Sequence, residues 1–506
     1  MHNFKKIYDL KNLLKLISNY DRKKIVLCHG VFDLLHIGHI KYLNKAKTFG
    51  NFLIVSITSD EFVNKGPKRP IFNENYRAEA LASLQCVDAV FINRSSSAVN
   101  IIKKIKPGIY CKGSDYRNFN DDITGKIILE KNAVEQFKGK LIFTNEITFS
   151  SSKIINTFDN ILNDEQREFI FNLKKNNKID FVKKYLEKIQ NLKIVVIGET
   201  IIDQYVFLET LGKSGKDPYL ASKRIYQNDY LGGAAAIVKN MSSFCNNISF
   251  ITYLGEDKNY KNFVDKNLPN NIKKKFFYKK NSPTVLKRRF IDSTSKQKLF
   301  GVYDINVSDL DINNERIFLK LISNLKKYDL IVISDYGHGL ITNKIAKKLN
   351  KIKSCKILNA QVNASNIGYH SLKKYTNADL LLINENELRH ELRDKLTNIE
   401  NLSLKFINNS NFKTIIVTSG NKGSLIVSKK NNKIIKCPAF ANQIVDKVGA
   451  GDMMLSVVSP LFKACLPNDI LIFLGNLAGA ISVGSISNSK SLDKNNLIKT
   501  FETFLK

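Results

Sequence analysis

No stretch of this sequence stays apolar for the roughly 20 residues that a membrane-spanning helix requires. The longest apolar run, Ile470 to Gly484, is interrupted by Asn476 and by glycines and reads as a buried helix. The opening segment, Met1 to Lys15, sets Lys, Asp and Asn among its apolar residues and lacks the unbroken apolar core of a signal peptide. The seven cysteines (Cys28, Cys86, Cys111, Cys245, Cys355, Cys437 and Cys465) are scattered, odd in number and contain no C-x-x-C pair. That pattern argues against a disulfide framework or a zinc site and suits a reducing compartment. The expectation from these absences is a cytoplasmic protein with no membrane partner.

Acidic side chains are also scarce, 46 Asp and Glu against 79 Lys and Arg, for a formal net charge of +33. Such a charge is one mark of nucleic-acid binding. Here the basic residues are spread along the chain, and the few clusters (Lys103–Lys104, Lys273–Lys275, Lys429–Lys430) are short, with no aromatics between them. Lys, Asn and Ile are abundant throughout, as drift in base composition would produce. The expectation is therefore no nucleic-acid partner, with a general attraction for phosphorylated small molecules.

What is present is organised. At 506 residues, with 43% hydrophobic and 25% charged side chains, the chain is globular and long enough for two or three domains. Ile25–Leu27 and Phe52–Thr58 read as buried strands, with Ile40, Leu43 and Ala46 at helical spacing between them. This βαβ alternation continues to about Phe143. Between Asn156 and Asn191 strand signals vanish and helical periodicity takes over, in Glu165–Leu173 and Phe181–Ile189. Strands resume at Ile194–Ile197 and recur at Ser249–Tyr253, Asp329–Ser334, Lys356–Asn359, Asp379–Ile383 and Thr414–Thr418, and a helix follows from Ala450. The spacing predicts an α/β domain over 1–157, a helical linker over 158–190 and a second α/β domain over 191–506.

The segment His29-Gly30-Val-Phe32-Asp33-Leu-Leu-His36-Ile-Gly38-His39 follows a predicted strand and opens a predicted helix. A helix start offers unpaired N–H groups and a positive dipole end to a phosphate. Gly38 permits close backbone approach. His36 and His39, three apart, face one way and can donate to nucleotide phosphates as charge builds in a transition state. Zinc ligation fits less well, since no third ligand stands nearby.

This string resembles the H-x-G-H signature of the cytidylyltransferase-like nucleotidylyltransferases, over roughly Lys23 to Thr157. The match continues in order: Lys65 in Lys-Gly-Pro-Lys-Arg-Pro, Arg77 after Tyr76, Lys112-Gly113-Ser-Asp115-Tyr, and Phe149-Ser150-Ser151-Ser152-Lys-Ile-Ile. Class I aminoacyl-tRNA synthetases share H-x-G-H, but no K-M-S-K-S partner is present. The resemblance implies a Rossmann-like domain in which a sugar phosphate attacks the α-phosphate of ATP or CTP and releases pyrophosphate, with Mg²⁺ as cofactor. It makes His36 and His39 catalytic, and makes Gly30, Phe32, Asp33, Gly38, Lys65, Arg77, Lys112, Gly113, Asp115 and Ser150–Ser152 nucleotide-binding.

In the second half, Asp446-Lys-Val-Gly449-Ala450-Gly451-Asp452 precedes an apolar helical pattern through Met454, Val457 and Leu461. Glycines before a helix form an anion hole from backbone N–H groups, and an aspartate held there can take the proton of an attacking hydroxyl. Gly232-Gly233-Ala through Asn240, Asn384-Glu-Asn-Glu387 and Thr418-Ser-Gly420-Asn-Lys-Gly423 accompany it. Together they resemble the ribokinase-type (PfkB) sugar kinases from about Lys193 onward. The resemblance implies a ribokinase-like α/β sandwich with Asp452 as catalytic base. It puts Asn384, Glu387, Thr418, Gly420, Gly423, Gly449, Ala450 and Gly451 at ATP, with Glu387 near Mg²⁺ through an indirect contact. Asp203 of Gly198-Glu-Thr-Ile-Ile-Asp203, Gly232, Gly233, Asn240 and Asp335 of Ser334-Asp335-Tyr336-Gly337 are implied at the sugar. Lys213-Ser-Gly-Lys-Asp217-Pro218 falls where such kinases carry a substrate loop.

The pairing resembles the bifunctional heptose-7-phosphate kinase / heptose-1-phosphate adenylyltransferases, with the order of the halves reversed. Two further departures stand out: Asn359-Ala-Gln-Val-Asn-Ala-Ser-Asn366 replaces the usual D-P-K-G, and His29 replaces Asn. The resemblance implies a sugar phosphate and a nucleoside triphosphate as partners and a homodimer through the kinase domain. It leaves open the sugar and the choice between ATP and CTP. It also leaves open a nucleotidylyltransferase for another sugar or polyol phosphate whose kinase-like half is degenerate and regulatory.

Overall fold

The structure, a computed structural model, describes residues 6–63, 69–113, 126–144, 162–176, 179–362, 366–441 and 443–505. The chain divides into two compact units, one comprising 1–163 with 498–506 and the other 164–497.

Runs such as Ile25-Val-Leu-Cys and Phe52-Leu-Ile-Val are apolar on both strand faces, as strands covered on both sides must be. They form β1 (Ile25–Gly30) and β2 (Phe52–Thr58), joined by β3 (Ala89–Asn93), β4 (Ile109–Lys112) and β5 (Lys140–Phe143). The sheet order is β3-β2-β1-β4-β5, and every pair is parallel. One face packs Leu27, Ile54 and Tyr110 against Leu13 and Ile101. The other packs Val26, Cys28 and Val55 against Leu43 and Ala78. The strand order turns back between β1 and β4, and in an open α/β sheet the ligand crevice lies at the carboxyl ends of such a pair.

The second unit carries two sheets. The larger joins β6 (Lys193–Gly198), β9 (Asn247–Gly255), β10 (Lys273–Lys279), β13 (Leu330–Asp335), β14 (Cys355–Ala360), β15 (Leu380–Asn384), β16 (Thr414–Thr418), β17 (Ser424–Ser428) and β18 (Ile434–Cys437). Its order is β10-β9-β6-β13-β14-β15-β16-β17-β18, parallel through β16 and antiparallel beyond. The smaller joins β7 (Thr200–Lys213), β8 (Leu220–Gly232), β11 (Val285–Asp292) and β12 (Lys298–Asp304) in the order β12-β11-β7-β8. The core of the unit gathers Val195, Ile197, Ile331, Ile333, Leu381 and Val417. The α/β class holds in both units.

The helices Asp164–Asn176 and Ile179–Lys188 pack within the second unit. Phe169 lies 5.6 Å from the Phe473 ring centroid, Gln166 donates to the Ala439 carbonyl at 2.5 Å, and Lys188 donates to that of Ala464 at 3.3 Å. No helix of the described residues is long and apolar enough to cross a membrane.

Candidate active sites

In the first unit β1 ends at His29-Gly30, and the helix Ile37–Lys47 begins seven residues later. His36 is its N-cap. Its Nδ1 accepts from the Gly38 N–H at 3.1 Å, which places the proton of the neutral ring on Nε2. The His36 and His39 rings stack with centroids 4.0 Å apart, and Phe32 meets His39 edge-on at 5.2 Å. Phe32 itself sits at φ 50°, so its backbone turns sharply at this point. The two histidines thus form one paired element at a helix start.

The neighbours of this pair hold the loop rather than face solvent. Asp33 is buried, accepting from Ile71 N at 2.6 Å and pairing with Arg69 at 3.1 Å. Arg77 is also buried. It donates to the carbonyls of Val31 (2.5 Å), Phe72 (2.9 Å) and Thr58 (2.9 Å) and to Asp60 at 2.6 Å. Expected at a phosphate, Arg77 instead ties the loop after β1 to the end of β2.

Lys112, at the end of β4, donates to the His29 carbonyl at 3.3 Å and lies 3.5 Å from Glu130. Glu130 also accepts from Tyr110 at 2.8 Å and Ala98 N at 3.0 Å. Burial works to raise the Glu130 carboxyl, but Lys112 and then His29 outweigh it and hold it below its ordinary value. His29 is buried, with Nδ1 3.1 Å from Ser56 Oγ. Burial, and then the Lys112 charge, push it down to about 4, so it is neutral at pH 7. The structure therefore joins Lys112 and His29 in a buried network that spans the β1–β4 switch point. Gly30 and Gly113 stand at the two strand ends. Lys65, Asp115 and Ser150–Ser152 lie outside the described residues.

The second unit holds a cleft of about 630 Å³. The helix Ala450–Lys463 opens at Gly449, whose φ of 89° suits glycine, and a Cβ there would come 2.4 Å from Asn488 Oδ1. Gly449, Gly451 and Asp452 line the cleft. Tyr336 donates to Asp452 Oδ1 at 2.6 Å. Burial lifts the Asp452 carboxyl to about 7 against the pull of that hydrogen bond, and nearby Asp203 adds to the rise. A carboxylate near neutrality at a helix start is suited to accept a hydroxyl proton.

Asp203 lines the same cleft and pairs with Arg289 at 2.5 Å. A Cβ on Gly232 would come 2.3 Å from Asp203 Oδ2, so the glycine is what admits this carboxylate. Gly233 lines the cleft and begins the helix Gly233–Met241. Asn384 and Glu387 also line it, as a reciprocal capping box with both bonds at 2.9 Å; Glu387 further accepts from Val362 N at 3.0 Å. Burial raises the Glu387 carboxyl to about 7. Thr418 reaches the cleft from the end of β16, followed by a turn through Gly420 and Gly423 closed by Ser419 N to the Gly423 carbonyl at 2.8 Å.

Two residues expected at the sugar are placed elsewhere. Asn240 is buried and accepts from Leu492 N at 3.1 Å. Asp335 is buried among Lys374 (2.6 Å), Tyr375 (2.6 Å) and Gly337 N (3.0 Å). The adjacent Tyr336 is the member of that motif that faces the cleft. The segment 214–219 is the turn between β7 and β8, closed by Ser214 N to the Tyr219 carbonyl at 2.9 Å.

Sequence reasoning missed the cations of the cleft: Lys287, Arg289, Lys296, Lys298 and Lys447. The Lys-x-Arg alternation in Val285-Leu-Lys-Arg-Arg-Phe was the available signal, since residues two apart share a strand face. Lys298 pairs with Asp446 at 2.5 Å, and Asp446 also accepts from Tyr205 at 2.5 Å.

Residues 191–495 match the model of the pfkB family carbohydrate kinases, and residues 27–157 that of the cytidylyltransferase-like proteins. The bifunctional protein HldE of Campylobacter jejuni (strain RM1221) is 29% identical over 322 residues, 62% of this chain and 65% of the relative. The bifunctional protein HldE of Helicobacter pylori (strain P12) is 40% identical over 154 residues, 30% of this chain and 31% of the relative. Each match thus spans less than two thirds of the relative's length. The crystal structure of phosphofructokinase-2 from Escherichia coli in complex with potassium aligns with 62% of this chain and 99% of its own, with a TM-score of 0.50 at 13% identity. That likeness is one of fold.

Proposed function

The chain belongs to the pfkB family of carbohydrate kinases and carries a cytidylyltransferase-like domain ahead of the kinase, and from that membership we propose that it makes a nucleotide-activated sugar in two steps. The second unit transfers the γ-phosphoryl of ATP to a sugar phosphate, heptose 7-phosphate at O1. The first unit transfers a nucleotidyl group from ATP or CTP to a sugar 1-phosphate and releases pyrophosphate. The likeness to bifunctional proteins, together with the two family matches at 27–157 and 191–495, supports the pairing.

The observation that carries the kinase reading is Asp452, raised to about 7, bonded to Tyr336 and set at the first turn of the helix behind Gly449. In this reading Asp452 takes the proton of the acceptor hydroxyl as its oxygen attacks the γ-phosphorus. The helix N–H groups at Gly449–Gly451 receive the charge on the phosphoryl oxygens. Asp203, fixed by Arg289, accepts from a second sugar hydroxyl. In the first unit, His36 and His39 donate to the phosphates while the sugar phosphate oxygen attacks in line.

Mg²⁺, when bound with the triphosphate, would neutralise charge on its oxygens. Glu387 fits an indirect contact with it, because its two carboxylate oxygens already accept backbone N–H groups. Exposed apolar side chains on the smaller sheet, Leu211, Leu220 and Phe300, support a homodimer through the kinase domain.

The test is a product assay by mass spectrometry, with heptose 7-phosphate and other sugars supplied with ATP, CTP or both. A phosphorylated sugar with ATP and a nucleotide sugar from supplied sugar 1-phosphate are expected. Absence of both products with every sugar would refute the reading.

A further inference from the structure

Two groups hold Asp452 in its carboxylate form, and both are anchored by one buried glutamate. The Tyr336 hydroxyl donates to Asp452 Oδ1 at 2.6 Å, and the Gly233 N–H bonds the same carboxylate. Glu199 follows Gly198 at the carboxyl end of β6 and is fully buried. Its Oε2 accepts from Tyr336 N at 3.0 Å, and its Oε1 accepts from His338 N at 3.2 Å and Leu340 N at 3.4 Å. Its main-chain carbonyl accepts from Ala234 N at 3.0 Å, at the start of the helix Gly233–Met241. A Cβ on Gly233 would come 2.7 Å from that carbonyl, so the close approach needs glycine.

The loop that carries Tyr336 needs such an anchor. Gly337 and Gly339 lie at φ 72° and 88°, and glycine loses more conformational freedom on ordering than any other residue. The turns at these glycines bring the alternate N–H groups of Tyr336, His338 and Leu340 onto one carboxylate, as backbone nests do with anions. Asn366 steadies the other side of the same residue by donating to the Tyr336 carbonyl at 2.8 Å. Burial, and then Asp335, lift the Glu199 carboxyl to about 7, while the Tyr336 N–H and then Lys374 pull it down. Lys279 on β10, Lys287 on β11, Tyr253 on β9 and Tyr375 also feel its charge. Lys374 is paired with Asp335 at 2.6 Å, and Lys279 donates to the carbonyls of Asn306 at 2.7 Å and His338 at 3.0 Å. The three N–H groups are therefore the direct partners of Glu199, and a proton on either oxygen weakens its hold on the loop.

We propose that Glu199 is a positioning residue of the kinase site, which grips the main chain of Tyr336 and so sets the hydroxyl that keeps Asp452 ionised and aimed at the acceptor. This rests on the kinase reading above. Glu199 does not line the cleft and acts only through Tyr336 and the helix start at Gly233. Replacing its side chain leaves the carbonyl bond to Ala234 in place, so the effect of a substitution runs through Tyr336. In Glu199→Gln the amide keeps one accepting oxygen and turns N–H donors toward the donors of the loop. Tyr336 is then released, and Asp452 loses the bond that opposes its burial.

The test is a double-mutant cycle on the full chain, with wild type, Glu199→Gln, Tyr336→Phe and the double variant assayed for sugar phosphorylation across pH. In Glu199→Gln, kcat should fall about 10- to 100-fold, as misplacement of a catalytic group produces. KM for ATP should stay within about threefold. The acid limb should move to higher pH, as in Tyr336→Phe. Loss of a nearby negative charge alone would move it the other way, so the direction separates positioning from simple electrostatics. In the Tyr336→Phe background the second substitution should cost less than about threefold in kcat and move the limb no further up. Losses that multiply in full, or a lower kcat with the limb in place, would overturn the proposal. Should Glu199→Gln not fold, Glu199→Asp, with the charge on a shorter arm, carries the same comparisons. Carbon-13 NMR of the carboxyl groups, with Asp452→Asn identifying the Asp452 signal, separates this proposal from the kinase reading. If wild type phosphorylates no sugar, the kinase reading falls. A rise of about one pH unit in the Asp452 titration in Glu199→Gln, absent when Tyr336 is already Phe, still sustains the positioning role. An Asp452 that titrates alike in wild type and Glu199→Gln overturns it.

Discussion

Tyr336 donates its hydroxyl to Oδ1 of Asp452 across 2.6 Å, joining the loop after β13 to the first turn of the helix Ala450–Lys463. The bond steadies the carboxylate form against the burial that raises it to about 7. The acid limb of kinase kcat/KM should therefore lie near pH 7, with activity rising as Asp452 loses its proton. In Tyr336→Phe the stabilising bond is gone, the carboxyl rises further, and the limb should move to higher pH. Initial rates from pH 5.5 to 9 check this, and a limb that stays in place or moves down would contradict it.

Asp452→Asn keeps the shape of the site but has no oxygen able to take a proton. Sugar phosphorylation should fall on the order of 10²–10⁴-fold. Nucleotide sugar should still form when sugar 1-phosphate is supplied, because that step belongs to the first unit. Mass spectrometry of both reactions reads the two outcomes, and failure of the supplied 1-phosphate in the mutant alone would show that the sites depend on each other.

His36→Ala or His39→Ala should lower nucleotidyl transfer by about 10²–10³-fold, the usual cost of one oxyanion-type donor. Kinase turnover should stay near wild type. The stacked pair also predicts non-additivity, with the double variant little worse than either single one. Pyrophosphate release reports the first reaction and ADP formation the second.

Glu130→Ala removes the carboxylate 3.5 Å from the buried Lys112 ammonium. The first unit should lose on the order of 3–5 kcal/mol at pH 7. Because the folded state holds the Glu130 carboxyl below its ordinary value, its stabilising contribution is present above the unfolded value of roughly 4.3. The contribution disappears as pH falls through the lower folded value. Thermal melts should show the gap between wild type and variant narrowing below about pH 4; a constant gap would exclude the ion pair as its source.

The strands that were legible in the sequence are those buried on both faces. Ile194–Ile197, Phe52–Val55 and Ile415–Val417 are short continuous apolar runs, as strands covered on both faces require. The smaller sheet was not legible. Its β8 reads Leu-Ala-Ser-Lys-Arg-Ile-Tyr-Gln-Asn-Asp-Tyr, mostly exposed, so neither apolar continuity nor strict alternation marks it. Its residues in the cleft, Lys287 and Arg289, were missed with it. The glycine-bounded helix starts were visible because backbone geometry restricts which residue can stand there, as at Gly449. Asp335 and Tyr336 show the opposite limit. Both stood in one motif, and only the fold decides that the aspartate turns inward to Lys374 while the tyrosine meets Asp452.

The ion pair between Lys298 on β12 and Asp446 has a thermodynamic meaning beyond its local strength. Asp446 also takes the hydroxyl of Tyr205 on β7 and the N–H of Val448, three residues before the glycine-bounded turn is complete. Two strands of the smaller sheet are thereby fastened to the strap that shapes the anion hole. Whatever firms the hole, including a bound phosphate, must firm the sheet by an equal free energy, and an acceptor that settles under the sheet must in turn tighten the hole. Donor and acceptor should therefore bind with positive cooperativity, and rising salt should weaken that coupling, because the Lys298 side chain is 42% exposed.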